Sequence, residues 1–314
     1  MASSETPTQP LSSSQPGRLP AWLEAMRPKQ WVKNVLLFAG LLFTQDQQHA
    51  PLHWVKAIAA FFLFCFLSGL TYYVNDLLDV EADRQHPKKR FRPIASGRLP
   101  LGVARVMAGL GIPALLVAAR LLEYDLSGWP AWKFFTAASL YLVVTLCYSF
   151  VLKHLVIVDV LVLASLFVIR AVAGAFVINV PISEWLLLCT LLLALFLGLS
   201  KRRGELVALG SASPTRAILK EYSLPMLEQM ITIVASACVM SYTLYTFFSK
   251  SQNGQSRPYL MATIPFVIYG LFRYLYLSHK KGMGEAPEAT LVEDKALLVN
   301  ILLWALVALI VLRL

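Results

Sequence analysis

The chain has 314 residues, of which 57% are hydrophobic and 15% charged, with a mean hydropathy of +0.62. A soluble domain carries about 25% charged residues and a disordered chain combines low hydrophobicity with high charge, so both classes are excluded, as are collagenous and disulfide-rich ones with 16 Gly and 4 Cys. What remains is a polytopic membrane protein, in which the net charge of +10 reads as cationic loops facing an anionic leaflet, and no nucleic-acid partner is expected.

Residues 1–20 are rich in Ser, Thr, Gln and Pro and read as a disordered cytoplasmic tail. They lack the paired basic and apolar regions of a cleavable signal peptide. Residues 21–314 then form one transmembrane domain. Nine apolar stretches follow the tail, at 30–48, 52–80, 101–122, 130–150, 155–179, 184–200, 226–249, 259–277 and 295–313. About 20 residues cross the hydrocarbon core, and these stretches are long enough or nearly so; the sixth is shortest and is expected to run past Lys201. Barrel strands are only about 10 residues long and alternate in hydropathy, so the prediction is an all-α membrane protein with nine transmembrane helices. Cys65, Cys147, Cys189 and Cys238 each lie inside such a stretch, with no CxxC pair, and read as packing residues.

The first stretch opens with Met26-Arg27-Pro28-Lys29-Gln30-Trp31-Val32-Lys33-Asn34. Gln30, Lys33 and Asn34 have i, i+3, i+4 spacing and present polar groups to one neighbourhood. Pro28 suits a first helical turn. The second stretch ends in Asn75-Asp76-Leu77-Leu78-Asp79-Val80-Glu81-Ala82-Asp83, the strongest signal in the chain. At about 100° per residue from Asn75, Asp76 falls near ~100°, Asp79 near ~40° and Asp83 near ~80°, while Glu81 lies on the far side. Three carboxylates in one sector repel each other and require a cation between them. Hard oxygen ligands in this arrangement suit Mg²⁺, which uses one or two carboxylates together with substrate phosphates. Lys88, Lys89, Arg90, Arg92 and Arg98 follow within one loop, so metal and phosphate are expected at the same place.

The fourth stretch closes with Tyr148-Ser149-Phe150-Val151-Leu152-Lys153-His154, and the fifth carries Asp159 and Arg170. Ionisable residues inside a span mark function by default. These two share a helix face but stand about 16 Å apart along it, so each needs a partner from another helix. The sixth stretch ends in Ser200-Lys201-Arg202-Arg203-Gly204-Glu205-Leu206, a basic group that can serve as a membrane anchor or hold a second phosphate.

With the N-terminus inside, 21 Lys and Arg fall on the inner side and 6 on the outer, which orients the chain N-in and C-out and puts nearly all the unusual chemistry on the cytoplasmic face. No Walker loop, GxSxG, HExxH or dinucleotide fingerprint occurs.

The Asn-Asp-x-x-Asp-x-x-x-Asp run in a nine-span chain resembles the UbiA superfamily of membrane polyprenyl transferases. RPKQWVKN at 27–34, NDLLDVEADRQHPKKRFRPIASG at 75–97, YSFVLK at 148–153 and SKRRGEL at 200–206 resemble its decaprenyl-phosphate phosphoribosyltransferase branch. Members carrying out aromatic prenylation have a second aspartate-rich motif after helix 6, where this chain has Lys201-Arg202-Arg203 and only Glu205 as an acid. The resemblance implies helices around a central cavity open to the cytoplasm, and transfer of 5-phosphoribose from phosphoribosyl pyrophosphate (PRPP) to a polyprenyl phosphate. It implies that Asn75, Asp76, Asp79 and Asp83 hold Mg²⁺ on the pyrophosphate. Lys153, Lys201 and the 88–92 loop, with Lys88 and Arg92, then neutralise phosphates. Gln30, Lys33 and Tyr148 position the ribose, and Asp159 orients Lys153 or a ribose hydroxyl. Two other readings stay open on the residues alone. One is a UbiA-type aromatic prenyltransferase acting on 4-hydroxybenzoate or a similar phenol, separated by the SKRRGEL segment. The other is a transporter with an acidic vestibule, which would place its ionisable groups near the midplane.

Overall fold

Proline sets where several helices begin. Pro28 and Pro51 occupy first-turn positions, where a missing N–H costs nothing, and Pro100 caps the helix that follows it. The computed structural model describes residues 19–43, 50–87, 89–123, 132–209, 217–248, 258–280, 290 and 293–313, and no strand occurs among them. The expected tail therefore falls outside the described residues, except for Leu19 and Pro20. A short helix α1 (Ala21–Ala25) leads into a 3₁₀ helix (Pro28–Phe38) continued by α2 (Ala39–Phe43). Then come α3 (Pro51–Leu78), α4 (Val80–Gln85), α5 (Leu101–Leu122), α6 (Lys133–Phe150), α7 (Val158–Val177), α8 (Glu184–Leu209), α9 (Leu224–Phe248), α10 (Ile264–Lys280) and α11 (Lys295–Arg313).

Eight of these segments are long and apolar enough to span a bilayer, and they match the second to ninth expected stretches; the sixth does pass Lys201, reaching Ala208. The first stretch departs from a regular α-helix: its described part is a 3₁₀ helix plus a five-residue α-helix, and residues 44–48 lie outside the described residues. Packing accounts for the tight winding. A Cβ on Gly174 of α7 would lie 2.0 Å from the Leu37 carbonyl oxygen, so only glycine admits this contact. One turn earlier on the same face, Arg170 reaches Asn34 of the 3₁₀ helix at 2.9 Å.

Neighbouring helices pack in chain order, α6 on α7, α7 on α8 and α8 on α9, with α3 against α5 and against the 3₁₀ helix. Leu37, Phe64, Leu67, Phe134 and Tyr141 form the core between the first segment, α3, α6 and α7. A second core, around Phe196, Leu227, Ile231 and Tyr274, joins α8, α9 and α10. Val103, Val106, Leu110, Val117 and Leu121 are exposed at intervals of three, four or seven residues on α5, a face suited to lipid. The chain is thus a multi-pass, all-helical membrane protein.

Candidate active site

The carboxylate run does not lie on one continuous helix. α3 stops at Asp79 (φ −95°, ψ 10°) and the chain restarts as α4. Asn75, Asp79 and Asp83 lie on the wall of one cavity of about 440 Å³, with Asp76 behind them; Asp76 and Asp83 are each only 2% exposed. Opposite stand Tyr148 and Lys153 from the end of α6 and the turn after it, and Lys33 lies on the 3₁₀ helix. Glu81 faces away and pairs with Arg84 at 2.8 Å.

Cations interleave the acids. Arg27 and Arg92 both hold Asp76, the latter at 3.2 Å, and Arg92 continues to Asp83 at 2.6 Å. Lys89 lies 3.9 Å from Asp83. Lys153 donates to both oxygens of Asp79, at 3.1 and 3.3 Å. Arg27 adopts a left-handed backbone (φ 54°, ψ 64°) directly before Pro28, where extended conformations are preferred, and its guanidinium stacks over Tyr72 at 4.5 Å. Strain of this kind persists where surrounding contacts over-determine it, and here those contacts are Asp76 and Tyr72.

The basic loop is anchored at both ends. Ile94 is fully buried beside Tyr73 and Leu70, and Arg98 forms two 2.7 Å bonds with the Glu24 carboxylate, which hold its pKa above the usual guanidinium value. Counting the lining side chains, six cations (Arg27, Lys33, Lys89, Arg92, Lys153 and Arg170) face two carboxylates, Asp79 and Asp83. Such a cavity suits a polyanion.

Of the expected site residues, Lys33, Asn75, Asp79, Asp83, Arg92, Tyr148 and Lys153 line the cavity, and Asp76 backs it. Gln30 and Lys201 do not line it, and Lys88 lies outside the described residues. Asp159 is fully buried and does not reach the cavity: Arg202 takes one oxygen and Tyr222 the other, both at 2.9 Å. The SKRRGEL arginines are likewise committed to protein carboxylates, Arg202 to Asp159 and Glu205, and Arg203 to Glu228.

Residues 35–292 match the family model described as the UbiA prenyltransferase family. This chain belongs to that family. A decaprenyl-phosphate phosphoribosyltransferase of Corynebacterium glutamicum is 36% identical to this UbiA-family protein over 285 residues, covering 90% of this chain and 83% of the relative. A protein of the same name from Mycolicibacterium smegmatis is 33% identical over 308 residues, covering 94% and 93%. Among solved structures, a UbiA homolog from Archaeoglobus fulgidus bound to GPP and Mg²⁺ aligns over 94% of this chain and 100% of its own, with a TM-score of 0.68 at 15% identity, and so shares the fold.

What this family member does with Asp159 is visible at the turn between α6 and α7. Ile157 is β-branched yet has φ 67°, at the centre of a γ-turn closed by the Val158 N–H on the Val156 carbonyl at 2.7 Å. Its own N–H donates to the Tyr222 hydroxyl at 2.7 Å, and that hydroxyl donates to Asp159. Burial, with Asp159 adding to it and the Ile157 bond opposing, pushes the Tyr222 pKa up to about 12, so the phenol stays neutral. The turn that carries Lys153 is therefore locked from behind. Removing the hydroxyl in Tyr222→Phe takes the acceptor from a part-buried N–H and a donor from the buried Asp159, and costs about 1–3 kcal/mol. We expect a lower melting temperature and about a tenfold fall in turnover through Lys153. Unchanged turnover at a lowered melting temperature would show that the turn does not act on Lys153.

Sequence reading missed Arg27, Tyr72 and Tyr141 as lining residues, included Lys89 only as part of the 88–92 loop, and singled out Arg170 without a role. Arg27 and Lys89 sit inside segments already singled out. Tyr72 and Tyr141 lie in apolar runs, where a tyrosine carries no distinguishing pattern.

Proposed function

We propose that this chain transfers 5-phosphoribose from PRPP to a polyprenyl phosphate of the decaprenyl type and releases pyrophosphate. The observation that carries this reading is the charge of the cavity, six cations against two lining carboxylates at the polar end of a membrane bundle. A prenyl diphosphate brings one polyanionic group; PRPP brings two, at opposite ends of a ribose, and the acceptor phosphate adds a further anion to the same cavity. The phosphoribosyltransferase relatives support the same donor. The 21-to-6 asymmetry of basic residues supports a cytoplasmic mouth and an inside N-terminus in the cell membrane.

The residues present fit Mg²⁺. Asn75, Asp79 and Asp83 offer hard oxygens to the cavity, and the cations now on the two aspartates are themselves phosphate-binding groups. These three residues would hold the ion, with Asp76 fixing Arg27 and Arg92 behind them. When bound, the ion supplies positive charge against the pyrophosphate as its bond to the ribose breaks. Lys89, Arg92 and Lys153 neutralise the same leaving group from the chain's side, and Lys33 and Tyr148 orient the sugar. In the reaction an acceptor phosphate oxygen bonds to ribose C1, and the C1–O bond to pyrophosphate breaks with its electron pair leaving on pyrophosphate. The acceptor is already an anion, so no general base is required. Leu163, Leu166 and Phe167 give the inner wall of the cavity an apolar surface.

Binding separates this donor from that of an aromatic prenyltransferase. With Mg²⁺ present, purified protein is expected to bind PRPP at least about tenfold more tightly than geranyl diphosphate, measured by calorimetry. The reverse preference would overturn the donor assignment.

A further inference from the structure

Two arginines lie buried within the spans, and the fold treats them differently. Arg202, 2% exposed, is given carboxylates: Asp159 at 2.9 Å and Glu205 at 2.6 Å. Arg170, 5% exposed, is given only neutral partners. Its Nε donates to the Asn34 side-chain oxygen at 2.9 Å, Nη1 to the Leu166 carbonyl at 3.1 Å and Nη2 to the Tyr141 hydroxyl at 2.9 Å. The guanidinium also meets the rings of Tyr141 and Phe167, with centroids 4.8 and 5.2 Å away. Among the described residues no carboxylate lies within ion-pair distance of it.

A guanidinium has five N–H groups, so one on each terminal nitrogen remains unused here. A cation buried in a membrane span without a counter-ion is costly, and the surrounding groups preserve that state rather than relieve it. Asn34 is itself held in place, donating to Ser68 at 3.4 Å and to the Cys65 sulfur at 3.3 Å. Arg170 is also a lining residue of the cavity. Its missing counter-ion therefore belongs to a ligand.

The position selects which ligand. Arg170 lies about 16 Å deeper along α7 than Asp159, and its side chain folds back toward the Leu166 level. Around it the wall is Leu163, Leu166 and Phe167, whereas Lys89, Arg92 and Lys153 gather at the aspartates. An isoprenoid gains from that apolar wall and a ribose does not. The inner end of the cavity also leaves the acceptor free to approach C1 from the side away from the pyrophosphate.

We propose that Arg170 anchors the phosphate monoester of the lipid acceptor, held in orientation by Asn34 and Tyr141. The assignment rests on the phosphoribosyl-transfer reading, and its test measures binding, with transfer from PRPP assayed separately, so that the two fail separately. Full-length protein in detergent would be titrated with farnesyl phosphate, farnesol, inorganic phosphate and PRPP with Mg²⁺. Wild type is expected to bind farnesyl phosphate at least about tenfold more tightly than farnesol or phosphate. In Arg170→Gln the farnesyl phosphate Kd should rise about 10- to 100-fold, with PRPP binding within about twofold of wild type. Arg170→Lys, which keeps the charge, should recover much of the loss, and it replaces the glutamine variant if that does not fold. Loss of PRPP affinity with farnesyl phosphate binding intact would overturn the assignment and give this cation to the donor's 5-phosphate. Equal binding of farnesyl phosphate and farnesol by wild type would also overturn it, while leaving the reaction standing. Wild type that prefers farnesyl phosphate yet transfers nothing from PRPP would sink the reaction and keep the anion site.

Discussion

Asp79→Asn is expected to reduce turnover by at least about 10³-fold while leaving a folded, membrane-inserted protein. The two halves of that expectation rest on different observations. The Asp79 side chain is 34% exposed and makes no capping bond to α4, so the isosteric amide costs the fold little. Its charge, however, faces the cavity and holds Lys153 at 3.1 Å. An amide cannot offer two anionic oxygens to a cation, and it no longer positions the lysine that meets the leaving group. Turnover and melting temperature measured on the same preparation decide the matter. A variant with near-normal turnover would show that Asp79 is a solvated carboxylate at a helix end.

Arg92→Gln is expected to lower kcat/KM for PRPP by about 10²- to 10³-fold. Arg92 is the one described side chain that ties the buried Asp76 to the cavity-lining Asp83, at 3.2 and 2.6 Å, and it does so from the loop rather than from a helix. Its loss removes a phosphate-binding cation and also leaves two carboxylates less well separated from each other. Arg92→Lys should recover only part of the activity, because an ammonium is a point charge and cannot reproduce the planar fork across both acids. Steady-state kinetics with PRPP varied at saturating acceptor would check this. Full recovery with lysine would mean that charge alone matters and that the bridging geometry does not.

Helix content was legible because an apolar run near bilayer length has few structural alternatives. The second to ninth stretches accordingly lie within a few residues of the observed spans. The first differs in winding: its described part is largely a 3₁₀ helix whose Leu37 packs against Gly174 of α7, a contact that no local pattern shows. Helical-wheel spacing correctly gathered Asn75, Asp79 and Asp83, although it assumed a continuous helix and the chain breaks at Asp79. The same spacing put Asp76 with them, where the structure buries it between two arginines. Partners from other helices were the least legible. Helix spacing requires Asp159 to find a partner on another helix without showing which; Arg202 supplies it from 43 residues away and Tyr222 from 63. In the SKRRGEL segment, likewise, nothing local shows that Arg202 and Arg203 are paired with carboxylates of the chain.

A radiolabel experiment shows directly which bond the protein makes. Detergent-solubilised protein would be incubated with Mg²⁺, ribose-labelled PRPP and decaprenyl phosphate, then extracted into organic solvent. Label is expected in the organic phase, lost with chelator and absent with Asp79→Asn. An unlabelled organic phase from folded protein that instead prenylates 4-hydroxybenzoate from a prenyl diphosphate would contradict the account, leaving the family assignment and removing phosphoribosyl transfer.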